Sequence, residues 1–142
     1  MTCSASLLVR NDLAELSRLA AWIEAWAKQH GIPEQTAQQV DLCAAEAVTN
    51  VMTHGVGGSD AREIELRIGR QGDDVVLDIE DDGIAFDPTE APLPAPVTMD
   101  SDRVGGWGIR IVRRLSDEVR YHRINGRNRL TLVFRPRPSA AA

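Results

Sequence analysis

A chain of 142 residues, 43% hydrophobic and 26% charged, has the size and composition of one globular domain. Such a chain buries roughly 68–70% of its unfolded surface, enough for one core without disulfide or metal staples. Twenty-one acidic against sixteen basic residues leave a net charge of −5, which removes the broad attraction that direct nucleic-acid or anionic-membrane binding relies on.

The chain opens on an apolar run, Ser4 to Val9, that suits a strand. Asn11 and Asp12 follow as helix N-cap residues, with Glu15 at the third helical position. Leu13, Leu16, Ala20, Ile23 and Ala27 then recur at three- and four-residue spacing, with Trp22 and Trp26 widening the stripe, which predicts an amphipathic helix ended by Gly31. Pro33 starts a second helix running to about His54. Beyond Gly55, Gly57 and Gly58 the period changes to two: Ile64, Leu66 and Ile68 alternate with polar residues, and Val75 to Ile79 form a second, more continuously apolar strand.

Asp87 to Arg103 holds four prolines and no periodicity, too long for an ordinary connector. Gly105, Gly106 and Gly108 lead into a short helix, Ile109 to Leu115. Strands at Glu118–Arg123 and Leu130–Phe134 flank an Asn125-Gly126 turn, and the tail from residue 136 to 142 reads as disordered. The expectation is one domain over residues 1–135, of α+β class: a two-layer α/β sandwich with a mostly antiparallel mixed sheet covered on one face by helices.

Lys28 is the only lysine among the basic residues, and no GxxxxGK[ST] run occurs, so a P-loop and the strand lysine of the protein-kinase fold are both excluded. Cys3 and Cys43 have neither CxxC spacing nor a nearby histidine pair, so both read as small buried apolar residues. No segment approaches the ~18 apolar residues of a membrane span, and a charged, apolar leader is missing, which leads us to expect a cytoplasmic protein without membrane partners.

Three polar constellations interrupt this pattern. The second helix is apolar nearly all round from Leu42 to Met52, yet Glu46, Asn50 and His54 lie along one stripe at four-residue spacing. Such groups face a cavity, a ligand or an ion, or else bond to neighbouring loops. After the strand at Val75–Ile79 comes Asp81-Asp82-Gly83, a turn by itself, or a close backbone approach to a planar ligand beside a fixed carboxylate acceptor. Gly105-Gly106-Trp107-Gly108 before a helix offers bare N–H groups suited to phosphate oxygens, although a GGxG run alone is also only a turn.

In this order and spacing, the three together resemble the Bergerat-fold ATP-binding domains of gyrase-type and MutL-type ATPases, heat-shock chaperones and sensor histidine kinases. Within that group the chain is most similar to stand-alone anti-sigma factor serine/threonine kinases. ExxxNxxxH appears as Glu46 to His54, the first glycine box followed by FDP as Asp81 to Pro88, and the second box as Gly105 to Gly108. The resemblance covers about residues 5–135. It implies Mg2+-ATP as cofactor, with Asn50 as metal ligand and Glu46 as general base. It further implies Asp81 as acceptor of the adenine amino group, Gly83 and Ala85 at the pocket floor, and Thr131 in the nucleotide site. Gly105, Gly106, Gly108 and Ile109 would wrap the phosphates, Arg103 and Arg110 would contact them, and Asp87 to Val104 would form a lid.

Ala85 departs from the pattern's second glycine by one methyl group, which bears on affinity. His54, in the last turn, suits a cap on helix carbonyls more than chemistry. The implied partners are an anti-anti-sigma antagonist of STAS type, a sigma factor and a second copy of the chain. The alternative reading is a nucleotide-dependent regulatory binding module without phosphoryl transfer.

Overall fold

The computed structural model describes residues 2–52, 63–83, 85, 87, 89 and 106–137. His54, Arg103, Gly105, most of the expected lid and the tail from residue 138 lie outside the described residues. Among the described residues, five strands and three α-helices follow in the order β1 (Thr2–Arg10), α1 (Leu16–Gln29), α2 (Glu34–Asn50), β2 (Glu63–Gln71), β3 (Asp74–Asp81), α3 (Gly106–Leu115), β4 (Glu118–Ile124) and β5 (Arg127–Phe134).

Asp12 caps the entry to α1 as its position suggests: its side chain accepts a 2.9 Å bond from the Ala14 N–H, opening a short 3-10 turn at Leu13–Glu15. At the other end Gly31 adopts φ +66°, so the Ile32 N–H reaches the Ala27 carbonyl at 2.9 Å and closes the helix. Val51 and Met52 continue α2 in a wider helical turn.

The sheet order is β1-β2-β3-β5-β4, and all four pairings are antiparallel, so the expected mixed character is absent among the described strands. Side-chain alternation gives the sheet two chemically different faces. One carries Val9, Ile64, Leu66, Ile68, Leu77, Ile79, Leu132 and Phe134, buried against Leu19, Ile23 and Ala27 of α1 and Val40, Cys43, Ala44, Ala47 and Val48 of α2. The other carries charges: Glu80 pairs with Arg129, and Arg127 lies 3.9 Å from Glu65 and 3.7 Å from Glu80, offsetting two carboxylates that face each other across β2 and β3. α2 packs between α1 and α3, which explains why it is apolar nearly all round.

Two expectations change. Cys3 is exposed, not buried, because it sits at a register irregularity of the outermost strand with φ +56°. Its carbonyl accepts the Trp26 indole N–H at 2.8 Å, tying β1 to α1. The third helix begins at Gly106 rather than Ile109, so Gly106 and Gly108 belong to its first turn.

Candidate functional site

The elements bring three polar groups to one end of the sandwich. Pro33 to Thr36, at the start of α2, line the same cleft as Leu115 and Ser116 at the end of α3 and Arg135 after β5. The opposite ends of these elements therefore point the other way: Asn50 ends α2, Gly106 begins α3, Asn128 lies near the start of β5, and Asp81 ends β3, paired with Asn128.

On α2, Glu46 is half-buried and Asn50 is 7% exposed, one turn apart on one face. The Asn50 Oδ1 is buried without a hydrogen-bond partner among the described residues. A buried amide oxygen left in that state costs about 1–3 kcal/mol, so an acceptor with no donor is the mark of a site for a cation or other donor. Thr49 does not share this role, since its hydroxyl turns back to the Ala45 carbonyl at 2.7 Å. Beneath Glu46, burial pushes the Cys43 thiol up to about 12, and the Glu46 carboxylate adds to the rise.

On β3, Asp81 is 4% exposed, and its Oδ1 accepts the Gly83 N–H at 2.8 Å and the Asn128 Nδ2 at 3.1 Å. The Asn128 Oδ1 accepts from the Tyr121 hydroxyl and, at 2.9 Å, from the Arg123 Nη1, which also donates to the Gly83 carbonyl at 3.1 Å. Gly83 is buried while Ala85 is exposed, so the extra methyl group does not crowd this turn. Asp87 closes a turn of its own, accepting the Thr89 N–H at 2.8 Å and the Thr89 hydroxyl at 2.6 Å, and Arg113 of α3 donates to the Thr89 carbonyl.

At the start of α3 the backbone N–H groups of Gly106, Trp107 and Gly108 occupy positions that find no partner within a helix, and they carry the positive end of its dipole, whereas the Ile109 N–H falls where the intrahelical bonds begin. Arg110 follows, half-buried.

Thr131 is not brought to the site. It lies on the charged face, where its hydroxyl donates to Asp78 Oδ1, and the residue that meets Asp81 is Asn128. The two are three positions apart, and an odd separation along a strand reverses the face. Asn128, Tyr121 and Arg123 escaped the sequence reading. Their signal was a lone polar residue on the buried alternation Asn128, Leu130, Leu132 and Phe134.

No group of three or more His, Cys, Asp or Glu able to hold a metal occurs among the described residues. Asn50 Oδ1 fits magnesium instead as one hard oxygen donor, in the manner of sites where substrate phosphates and water complete the shell. No described helix is long and apolar enough to cross a membrane.

A family model described as a histidine kinase-like ATPase domain matches residues 9–134. The chain is 30% identical over 139 residues to the serine/threonine-protein kinase BtrW of Bordetella bronchiseptica, covering 92% of this chain and 98% of that one. It is 25% identical over 121 residues to the serine-protein kinase RsbW of Listeria monocytogenes, covering 82% and 76% respectively. In fold it is similar to the RsbU and RsbW domains of Rv1364c from Mycobacterium tuberculosis, with TM-score 0.70 at 19% identity over 96% of this chain and 34% of that one. It is also similar to a blue-light activated histidine kinase domain from Erythrobacter litoralis, with TM-score 0.53 at 21% identity, over 86% and 59%. The chain thus spans about a third of the first solved chain. The match across both layers of the sandwich, together with the polar groups gathered at one of its ends, makes this chain a member of the histidine kinase-like ATPase domain family.

Proposed function

We propose that the chain is a Mg2+-ATP-dependent protein serine/threonine kinase of the anti-sigma type. It would transfer the γ-phosphoryl group to a serine or threonine of a STAS-type antagonist protein and sequester a sigma factor when that antagonist is unavailable. The observation that carries the reading is the buried Asn50 Oδ1, which has no partner among the described residues and lies one helical turn from Glu46 on α2. The names of BtrW and RsbW, both protein kinases, support the reaction class.

In this reading Asp81 accepts the adenine amino group, and the first N–H groups of α3 hold phosphate oxygens. Asn50 Oδ1 holds magnesium, which when bound neutralises charge on the phosphates. Glu46, on the same face, accepts the proton of the attacking hydroxyl as the phosphoryl group leaves ADP. Dimerisation and a cytoplasmic location belong to the same proposal.

Titration calorimetry with ATP, with and without magnesium, tests the site: binding that magnesium strengthens in wild type but not in Asn50→Ala is the expected result. For the reaction, incubation with radiolabelled ATP and a purified STAS-type antagonist should give phosphoserine or phosphothreonine. Glu46→Ala should reduce that transfer by about 10²–10⁴-fold while ATP affinity stays within a few-fold. Retained regulation of the partner by Glu46→Ala, with no transfer by either protein, would support a nucleotide-dependent binding module in its place.

A further inference from the structure

We propose that Asn128 is a positioning residue that aims Asp81 at the base, and that the β4–β5 hairpin, through Tyr121 and Arg123, thereby sets selectivity for a purine carrying a 6-amino group. The inference rests on the nucleotide-site reading above and extends it to residues outside the glycine boxes.

The argument begins at the Asn128 amide, which is 5% exposed. Its two ends differ only in that one donates and the other accepts, and its neighbours decide which is which. Arg123 is donor-only, and its Nη1 stands 2.9 Å from one end, so that end is the oxygen; the Tyr121 hydroxyl donates to the same atom. The amino end therefore faces Asp81 Oδ1, at 3.1 Å.

With the Gly83 N–H at 2.8 Å as well, Oδ1 of Asp81 holds two donors. Oδ2 has no donor among the described residues. A carboxylate pinned through one oxygen presents the other as a pure acceptor in a fixed direction, which suits an exocyclic N–H and rejects a 6-oxo group. Arg123 also holds the Gly83 carbonyl at 3.1 Å, so both faces of the Gly83 turn are tied, one to Asp81 and one to the hairpin. The tight Asn125-Gly126 turn, with φ +52° and +75°, keeps Arg123 opposite Asn128 in register, which lets one guanidinium reach both partners.

The test compares Mg2+-ATP with Mg2+-purine riboside triphosphate, which lacks the 6-amino group, by calorimetry on wild type, Asn128→Ala and Tyr121→Phe, each first checked for cooperative unfolding. Wild type should lose about tenfold or more in affinity when the amino group is removed, the size expected for a hydrogen bond to a carboxylate. In Asn128→Ala, ATP should weaken by about tenfold and the analogue by less than about threefold, so discrimination largely disappears. Tyr121→Phe removes one donor to Asn128 with almost no change of volume, and it should lower discrimination by about two- to fivefold even if Asn128→Ala does not fold.

Equal weakening of both nucleotides in Asn128→Ala, or undiminished discrimination in the two variants, would overturn the positioning role and leave the nucleotide site intact. Failure of wild type to bind ATP at all would overturn the nucleotide site and the positioning role together.

Discussion

Cys43 and Cys3 show how one residue type takes opposite properties from its position. Cys43 is fully buried beneath Glu46, and burial first, then the Glu46 charge, pushes its thiol from 9.0 up to about 12. Because the folded value lies above the unfolded one, the stability linked to this thiol is complete below pH 9 and is lost as pH rises toward 12. Above pH 9 the loss approaches about 1.4 kcal/mol per pH unit. Melting temperatures measured from pH 8 to 11 should therefore fall more steeply for wild type than for Cys43→Ala. Iodoacetamide at pH 8 should label Cys3 alone until the protein is unfolded, read by mass spectrometry. Asn50 and Asp81 were legible as polar residues in apolar runs, whereas the exposure of Cys3 was not, because an apolar strand pattern does not reveal a backbone irregularity at its end.

At the scale of elements, α1 and α2 illustrate both local and paired control. Gly31 ends α1 with φ +66°, and a Cβ there would meet nothing within 4 Å, so Gly31→Ala tests backbone strain alone. A cost of about 1 kcal/mol is expected, visible as a lower urea midpoint with an unchanged slope. Across the groove between the two helices, Asp41 has its carboxyl raised above the ordinary value by burial first and then by Glu24, with Glu34 and Lys28 also lining the groove. A raised carboxyl means that ionised Asp41 opposes folding. Asp41→Asn should then raise the melting temperature at pH 7, and the advantage should vanish as pH falls below 3.8, where the wild-type residue is protonated in both states. The helix periods and their stop signals were visible in the sequence; the Asp41–Glu24 encounter was not, since it depends on how two helices cross.

At the scale of the molecule, the proposed nucleotide would touch both layers, through Asn50 on a helix and Asp81 on the sheet. A ligand that binds only the folded state adds RT ln(1 + [L]/Kd), about 2.7 kcal/mol at a hundred times Kd. Mg2+-ATP should therefore raise the melting temperature and slow amide exchange at residues 46–52, 81–83 and 106–110 together. Asn50→Ala should lose the magnesium-dependent part of the thermal shift while keeping the part given by ATP alone. Protection confined to one layer would contradict a site shared between them.

The alternation of apolar residues determined which segments are helices and strands, and the spacing of Glu46 and Asn50 placed both on one helical face, because local backbone geometry has fixed periods of 3.6 and 2 residues. The Asp81-Asp82-Gly83 turn was likewise readable as the end of a strand. What tertiary structure decided was pairing: β5 enters between β3 and β4, so Asn128 and not Thr131 meets Asp81. The physical reason is that register and face are properties of two strands at once, and a shift of a single residue exchanges every side chain between the buried and the charged side of the sheet.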